Sequence, residues 1–423
     1  MPLPIHSLPV LQNWDCHLCG QCCKEYVVPV TEEEKQRIES QGWQNLPEYQ
    51  GVQLFKRRGP PWRRSWQLNH RADGSCVFLS SQGHCSIHER FGYETKPLPC
   101  RLFPFVPVPA GKQWRVGVRY ACPSSVGNLG RAIDEHRSSL REFTNELARR
   151  EKLDVKDGAF DLKPPCLDGR KRVAWADLLL IVDVLFKMMR DRRDPVERRL
   201  RKCLAFAGLV RQATFDKITG PRLAEFLQIT ATSIDTDVPR DPATLSPPSG
   251  IGKLLFRMIL AMFTRKDQGP LRGVSARGRI ALFRAAISFV RGKGRVPRLH
   301  GWLPETTFAQ VEHTASRRDE QTEELLERYY SMKIGSLQFF GSPFYHYPLW
   351  TGLNALALTF PMIHFVARMF SDLKPVDALA KALSIVDDHF GFNKLLGGVR
   401  YRASYRILGS RGETERLIGW YAR

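Results

Sequence analysis

The sequence predicts an α+β chain, a small mixed cysteine-rich module followed by a mainly α-helical body. Three observations predict it. Eight of the ten cysteines lie between Cys16 and Cys122, and only Cys166 and Cys203 fall outside. Up to about Ser125, short apolar pieces alternate with turns such as ADGS and SSQGH, a texture of short strands. Beyond Ser125 the apolar residues recur at helical spacing. At 423 residues and 43 % hydrophobic, the chain is long enough for two or three domains with sizeable cores.

The expected module spans residues 1–125. TEEEKQRIESQGW (Thr31 to Trp43) predicts a helix, with Thr31 as N-cap and Glu34 completing a capping box. CVFL (Cys76 to Leu79), CSIHE (Cys85 to Glu89) and QWRVGVRYAC (Gln113 to Cys122) predict short strands. Residues 126–169 predict a helical connector that ends in the loop KPPCLDG. The expected body spans residues 170–423. It contains the helical patterns VAWADLLLIVDVLFKMMRD, PVERRLRKCLAFAGLVRQATF, GKLLFRMILAMFTRK, RIALFRAAISFVRG and DEQTEELLERYYSMKIGSLQFF. IDTDVPRDPATLSPPSG, at about 234–250, predicts a surface loop. No solenoid-period repeat is visible.

From Ile334 to Ala367 there is no Lys, Arg, Asp or Glu. A membrane span needs about 20 mostly apolar residues. Gly352, Asn354, Thr359, Pro361 and His364 interrupt this one, so a kinked core helix is the expectation and a membrane role is disfavoured. The N-terminal MPLPIHSLPVLQNW has neither a basic start nor a long apolar run, so a secretory signal is not expected. The expected location is cytoplasmic, where thiols stay reduced. Ten cysteines there read as ligands rather than disulfides.

The net charge is +21. Residues 1–123 carry 15 basic and 10 acidic side chains, so the body carries +16. An acidic partner meeting the helical body is therefore expected, an acidic protein or peptide first. Nucleic acid is the weaker option. Its two hints are KRRGPPWRRSW, which joins basic residues to Trp62 and Trp66, and the basic stripe MMRDRRDPVERRLRK.

The cysteines carry the chemistry. Cys16, Cys19, Cys22 and Cys23 are spaced C-x2-C-x2-C-C. Thiolates are soft ligands for zinc, iron–sulfur clusters and copper(I). Cys16, Cys19 and Cys22 converge on one small volume, whereas adjacent Cys23 points elsewhere. Cys76, Cys85, Cys100 and Cys122 must then supply the remaining ligands, and eight thiols suffice for two four-ligand sites. The stretch from Cys76 to Cys122 is therefore expected to return to residues 16–23. Gly20 lets the backbone wrap closely. His17, His84 and His88 are substitute ligands. Cys166 is a candidate extra ligand, and Cys203 reads as a core thiol. A stabilising metal staple without chemistry is the competing reading.

C-x2-C-G-x-C-C, followed by DGSCVFLSSQGHCSIHERFGYETKPLPCRLFPF and then Cys122–Pro123, resembles the YkgJ-type cysteine-cluster family. The resemblance covers about the first 125 residues and implies a zinc- or iron-chelating domain. A second resemblance is to the flagellin lysine-N-methylases. It rests on EELLERYYSMKIGSLQFF…YHYPLWTGLNALAL (from Glu323) and ALSIVDDHFGFN (Ala382 to Asn393), and implies S-adenosylmethionine-dependent methylation of protein lysines. No doubly wound cofactor loop, P-loop, HExxH or nucleophile elbow accompanies it. Arg101, beside Cys100, is a candidate to donate to a cluster sulfur or offset the cluster's charge, and a surface or packing arginine beside the Phe-Pro turn is the competing reading.

The expected function is metal binding by a cysteine cluster. An iron–sulfur cluster, 4Fe-4S, is preferred to zinc because eight clustered thiols come without a fixed histidine. The helical body would bind a partner or substrate. The alternatives are a lysine N-methyltransferase and a nucleic-acid-associated metal-binding protein.

Overall fold

The structure is a computed structural model that describes residues 3–8, 10, 12–59, 65–213, 218–265, 276–316 and 318–423. The first third is built from short pieces. In chain order they are β1 (Ile5–His6), α1 (Gln21–Glu25), β2 (Pro29–Val30), α2 (Glu32–Glu39), β3 (Phe55–Arg58) and β4 (Ser65–Leu68). They continue with α3 (Ser86–Phe91), α4 (Leu98–Leu102), β5 (Phe105–Ala110), β6 (Gln113–Val118) and α5 (Pro123–Val126). One sheet has the order β2-β4-β3, all antiparallel, with Phe55 opposite Leu68. The other has the order β1-β6-β5, with β1 parallel to β6 and Phe105 opposite Val118.

The capping box forms as expected. Glu34 N–H donates to Thr31 Oγ1 at 3.2 Å, and Thr31 N–H donates to Glu34 Oε2 at 2.9 Å. Two expected strands differ. CVFL is a tight turn held by bridges from His70 to Cys76 and from Leu79 to Cys85. CSIHE opens α3 with Cys85 as N-cap. Its apolar pair, Ile87 and Phe91, is four residues apart, a helical rather than a strand period.

The connector is α6 (Arg137–Glu151) and a hairpin of β7 (Val155–Lys156) with β8 (Ala159–Phe160). The body follows as α7 (Trp175–Met189), α8 (Val196–Val210), α9 (Gly220–Asp237), α10 (Gly250–Phe263), α11 (Ala276–Arg291) and α12 (Phe308–His313). It ends with α13 (Glu320–Gly335), α14 (Leu349–Met369), α15 (Pro375–His389), α16 (Val399–Ser410) and α17 (Glu413–Ala422). The loop expected at about 234–250 starts later, because α9 runs to Asp237. Its stripe Leu223, Leu227, Thr230 and Ile234 is buried at helical spacing, so Ile234 completes a helix face.

Among the described residues one helix, α14, is long and apolar enough to cross a membrane. Its most apolar stretch is wholly buried, with Pro361 inside it. Gly352 sits so close to the Phe339 carbonyl that a Cβ would overlap it.

The packing does not divide at residue 125. A small core holds Val30, Ile38, Trp43, Leu68, Phe78 and Ile87. Leu98, Phe105, Val116, Val118 and Val126 belong instead to the large core of the helical body. The second half of the module is thus the first layer of the body.

Candidate metal centre

All ten cysteines are free thiols. Cys16 and Cys19 are exposed, Cys22, Cys23, Cys85 and Cys100 half-buried, and Cys76 and Cys122 buried. The segment before Cys16 is strapped to the far end of the module. Trp14 and Asp15 N–H groups donate to the Arg131 and Leu129 carbonyls, and Arg131 pairs with Asp15 at 2.9 Å. Gly20 then turns the chain with φ of 67°, where a Cβ would stand 3.3 Å from the Gly83 carbonyl. That turn starts α1, which carries Cys22 and Cys23 with their sulfurs 4.0 Å apart.

The later cysteines return to this turn. Cys76 N–H donates to the Cys23 carbonyl at 2.7 Å. Cys85 is the N-cap of α3 and Cys122 the N-cap of α5. Cys100 rides on α4, whose Leu98 N–H is held at 2.7 Å by Glu34 Oε1. Glu34 also pairs with Arg150 at 2.6 Å, so one carboxylate joins α2, α4 and α6.

Cys22, Cys23, Cys76, Cys85 and Cys100 line one cavity of about 200 Å³, closed by Tyr26, Phe103 and Arg119. Lys96 lines it too. Cys16 and Cys19 lie outside this group, within electrostatic reach of Cys22 and Cys122. This corrects the expectation that Cys16, Cys19 and Cys22 converge while Cys23 points elsewhere: one short helix, α1, aims Cys22 and Cys23 into the same cavity. Among the described residues no three His, Cys, Asp or Glu side chains already stand at ligand spacing, so closure on a metal requires rotation of thiol side chains.

The donor set fits a soft metal. Burial pushes the Cys76 thiol up to about 12 and raises that of Cys100. Cys22 is raised first by its hydrogen bond with Cys23 and then by burial. Such thiols stay protonated near neutral pH unless a cation favours the thiolate, and a bound metal supplies that charge. Burial lowers the pKa of Lys96, but where the thiols are ionised Cys100, Cys85 and Cys16 outweigh it and the net shift is upward. Lys96 is therefore a cation held beside the thiols.

The expected role of Arg101 is corrected. Its guanidinium bonds Glu94, Glu146 and the Lys96 carbonyl, and no sulfur. Two carboxylates outcompete a thiol for a buried guanidinium. The cations at the thiols are Lys96, five residues earlier, and Arg119, which spacing alone did not mark. The histidines are also engaged elsewhere. His17 Nδ1 bonds the Asp15 carbonyl and Ser124 Oγ, and His84 bonds Glu89 at 2.8 Å. His88 packs edge-on against Tyr93. The Cys166 carbonyl accepts from Leu349 N–H at the start of α14, and Cys166 does not line the cavity. Cys203 is a core thiol on α8, as expected.

The sequence reading also missed what the aspartates of α15 do. Asp387 Oδ2 accepts the N–H groups of Tyr120 at 2.5 Å and Ala121 at 3.1 Å, just before Cys122. Its other oxygen pairs with Lys333 at 2.6 Å, both side chains being 0 % exposed. Asp388 accepts from Tyr26 Oη at 2.9 Å and pairs with Arg119 at 3.0 Å, and both partners line the thiol cavity. Two adjacent aspartates inside the apolar pattern SIVDDHF were the available signal, because buried carboxylates need partners.

Residues 15–123 match a known family. Its description is "CxxCxxCC: Putative zinc- or iron-chelating domain". The matched stretch contains all eight clustered cysteines and ends one residue after Cys122. No curated protein and no solved structure matches the chain. The methylase likeness of the C-terminal part rests on sequence pattern alone.

The nucleic-acid hints fare differently. Trp62, Arg63 and Arg64 lie outside the described residues. Trp66 Nε1 donates to Glu32. The basic stripe is largely turned inward. Arg198, Arg199, Arg201 and Lys202 are buried. Arg199 pairs with Glu327, Arg201 with Glu197, and Arg198 and Lys202 with Asp194. Those charges are spent inside the fold.

Proposed function

We propose that this chain is an iron–sulfur protein, with the thiols of its chelating domain holding a 4Fe-4S cluster. The observation that carries this is the cavity lined by Cys22, Cys23, Cys76, Cys85 and Cys100 with Lys96 on its wall. All its cysteines are available as thiols, its histidines are engaged elsewhere, and a cation stands where a thiolate-bound cluster brings negative charge. The cluster would supply electron transfer or a ligated iron. The chain's own residues hold it, shield it through Tyr26 and Phe103, and balance its charge through Lys96. Such thiols need a reducing compartment, which supports a cytoplasmic location. Zinc is the alternative occupant. Anaerobic purification with metal analysis and a visible spectrum distinguishes them. We expect iron and sulfide with absorbance near about 400 nm. Stoichiometric zinc with no visible band overturns the iron–sulfur reading.

A second reading, S-adenosylmethionine-dependent lysine methylation, has one observation on its side. A cavity of about 650 Å³ lies between α5, α13 and α15, with Pro123 on its wall directly after Cys122. Trp302, Arg328, Glu324 and Asp377 line it, a set suited to an aromatic zwitterion. Titration of the metal-loaded protein with S-adenosylmethionine tests this, and no binding removes it. The helical body as the seat of an acidic protein or peptide partner is supported by its share of the charge.

A further inference from the structure

The charge of the helical body is concentrated in one stretch of the sequence. Residues 250–303 carry twelve Lys and Arg against one acidic residue, Asp267, a net of +11 out of +21 for the chain. The hairpin of α10 and α11 falls in this stretch. On α11, Ile280, Phe283, Arg284, Ile287 and Arg291 share one helix face, since their spacings of three, four and seven return to the same angle. That face is opposite the buried Ala285 and Phe289. Ile280 is 54 % and Phe283 69 % exposed. Arg284 and Arg291 are exposed beside them, and Lys293 and Arg295 follow. On α10, Ile251 and Leu254 are 52 % and 41 % exposed.

We propose that the outer face of α11 is a membrane-surface contact, laid on an anionic lipid bilayer. Large apolar side chains and cations on one helix face, without an acid, match the headgroup–acyl boundary. There the apolar groups leave water while the cations stay among anionic headgroups. A nucleic acid would satisfy the arginines and leave Ile280 with nothing to pack on. An acidic protein would need a matching apolar groove as well. The contact is peripheral, because α14, the helix long enough to span, is buried in the core.

The test is co-sedimentation of the full chain with vesicles of phosphatidylglycerol and phosphatidylcholine, compared with vesicles of phosphatidylcholine alone. We expect binding to the anionic vesicles that weakens with salt. Phe283→Ser should lower it by roughly tenfold. Arg284→Gln with Arg291→Gln should lower it by roughly fivefold per charge. All these side chains are exposed, so circular dichroism should show an unchanged fold. Equal binding to both vesicle types overturns the proposal. So does binding that Phe283→Ser leaves intact while duplex DNA or polyglutamate competes it away.

Discussion

Asp387 is the residue on which the cysteine-rich module and the helical body depend together. Replacing it with alanine removes a carboxylate that has three buried partners. Lys333 loses its counter-charge at 0 % exposure, and Tyr120 and Ala121 lose the acceptor for their N–H groups. Breaking a buried ion pair from one side costs about 3–5 kcal/mol. Each orphaned buried N–H adds about 1–3 kcal/mol, less whatever water repairs. We expect Asp387→Ala to cost at least about 4 kcal/mol, a large share of the roughly 5–15 kcal/mol that holds a typical native state. Lys333→Met combined with Asp387→Asn should cost much less, because no charge is left buried and the amide oxygen still accepts one N–H. The coupling between the two positions should therefore be about 2 kcal/mol or more. The assay is urea unfolding at fixed metal content, with Asp387→Ala, the two singles Asp387→Asn and Lys333→Met, and the double that combines those two. An Asp387→Ala cost under about 1 kcal/mol refutes the reasoning. So does a double variant whose cost equals the sum of the singles.

Three further outcomes are expected. His364 is buried in α14, and burial holds its pKa down at about 3, with Arg318 and Arg368 adding to the effect. An unfolded histidine titrates near about 6.5, so below that pH only the unfolded chain takes up the proton. Stability should fall by roughly 1.4 kcal/mol per pH unit between about 6.5 and 3 and stay flat above, and His364→Gln should remove that slope in acid unfolding curves. Glu34→Ala breaks the capping box, the Leu98 hold and the Arg150 pair together. It should cost about 3 kcal/mol in chemical unfolding and lower metal retention through Cys100. Lys96→Met removes a positive charge from the cavity wall, so spectroelectrochemistry of the loaded protein should find a more negative reduction potential.

How much the sequence could tell depended on the range of each interaction. The capping box at Thr31 and Glu34, the α14 core helix and the Cys203 core thiol were legible because neighbours along the chain decide them. The return of Cys76 to Cys23 was legible for another reason, since eight thiols in one module leave few arrangements. Arg101 was misjudged because being next to Cys100 in sequence does not set a side chain's direction. Its carboxylates, Glu94 and Glu146, come from other elements. Asp387 pairs with Tyr120 and Ala121 across more than 260 residues, and no local pattern encodes that. The basic stripe on α8 read as a surface although Asp194 and Glu197 pair with it locally, because the helices that bury it, with Glu327 taking Arg199, come from elsewhere in the chain.

The same long-range packing decides whether the chelating domain can stand alone. A fragment of residues 1–125 keeps all eight cysteines and the whole family match. It would nevertheless expose Leu98, Phe105, Val108, Val116 and Val118, which pack into the core of the helical body. At about 1.5–3 kcal/mol for each large apolar side chain, the loss is on the order of 10 kcal/mol. It would also lose Asp387, which fixes the backbone before Cys122, and Asp388, which fixes Tyr26 and Arg119 on the cavity wall. The remaining core around Trp43 and Phe78 is small, and domains of that size already lean on a metal. We therefore expect the fragment, expressed with iron or zinc, to lack sharp near-ultraviolet dichroism and to lose its metal on gel filtration, while the full chain keeps it. A fragment that elutes with stoichiometric metal and a folded spectrum would show that the small core and the thiols suffice. The body would then be a separate domain resting against the metal centre rather than part of its wall.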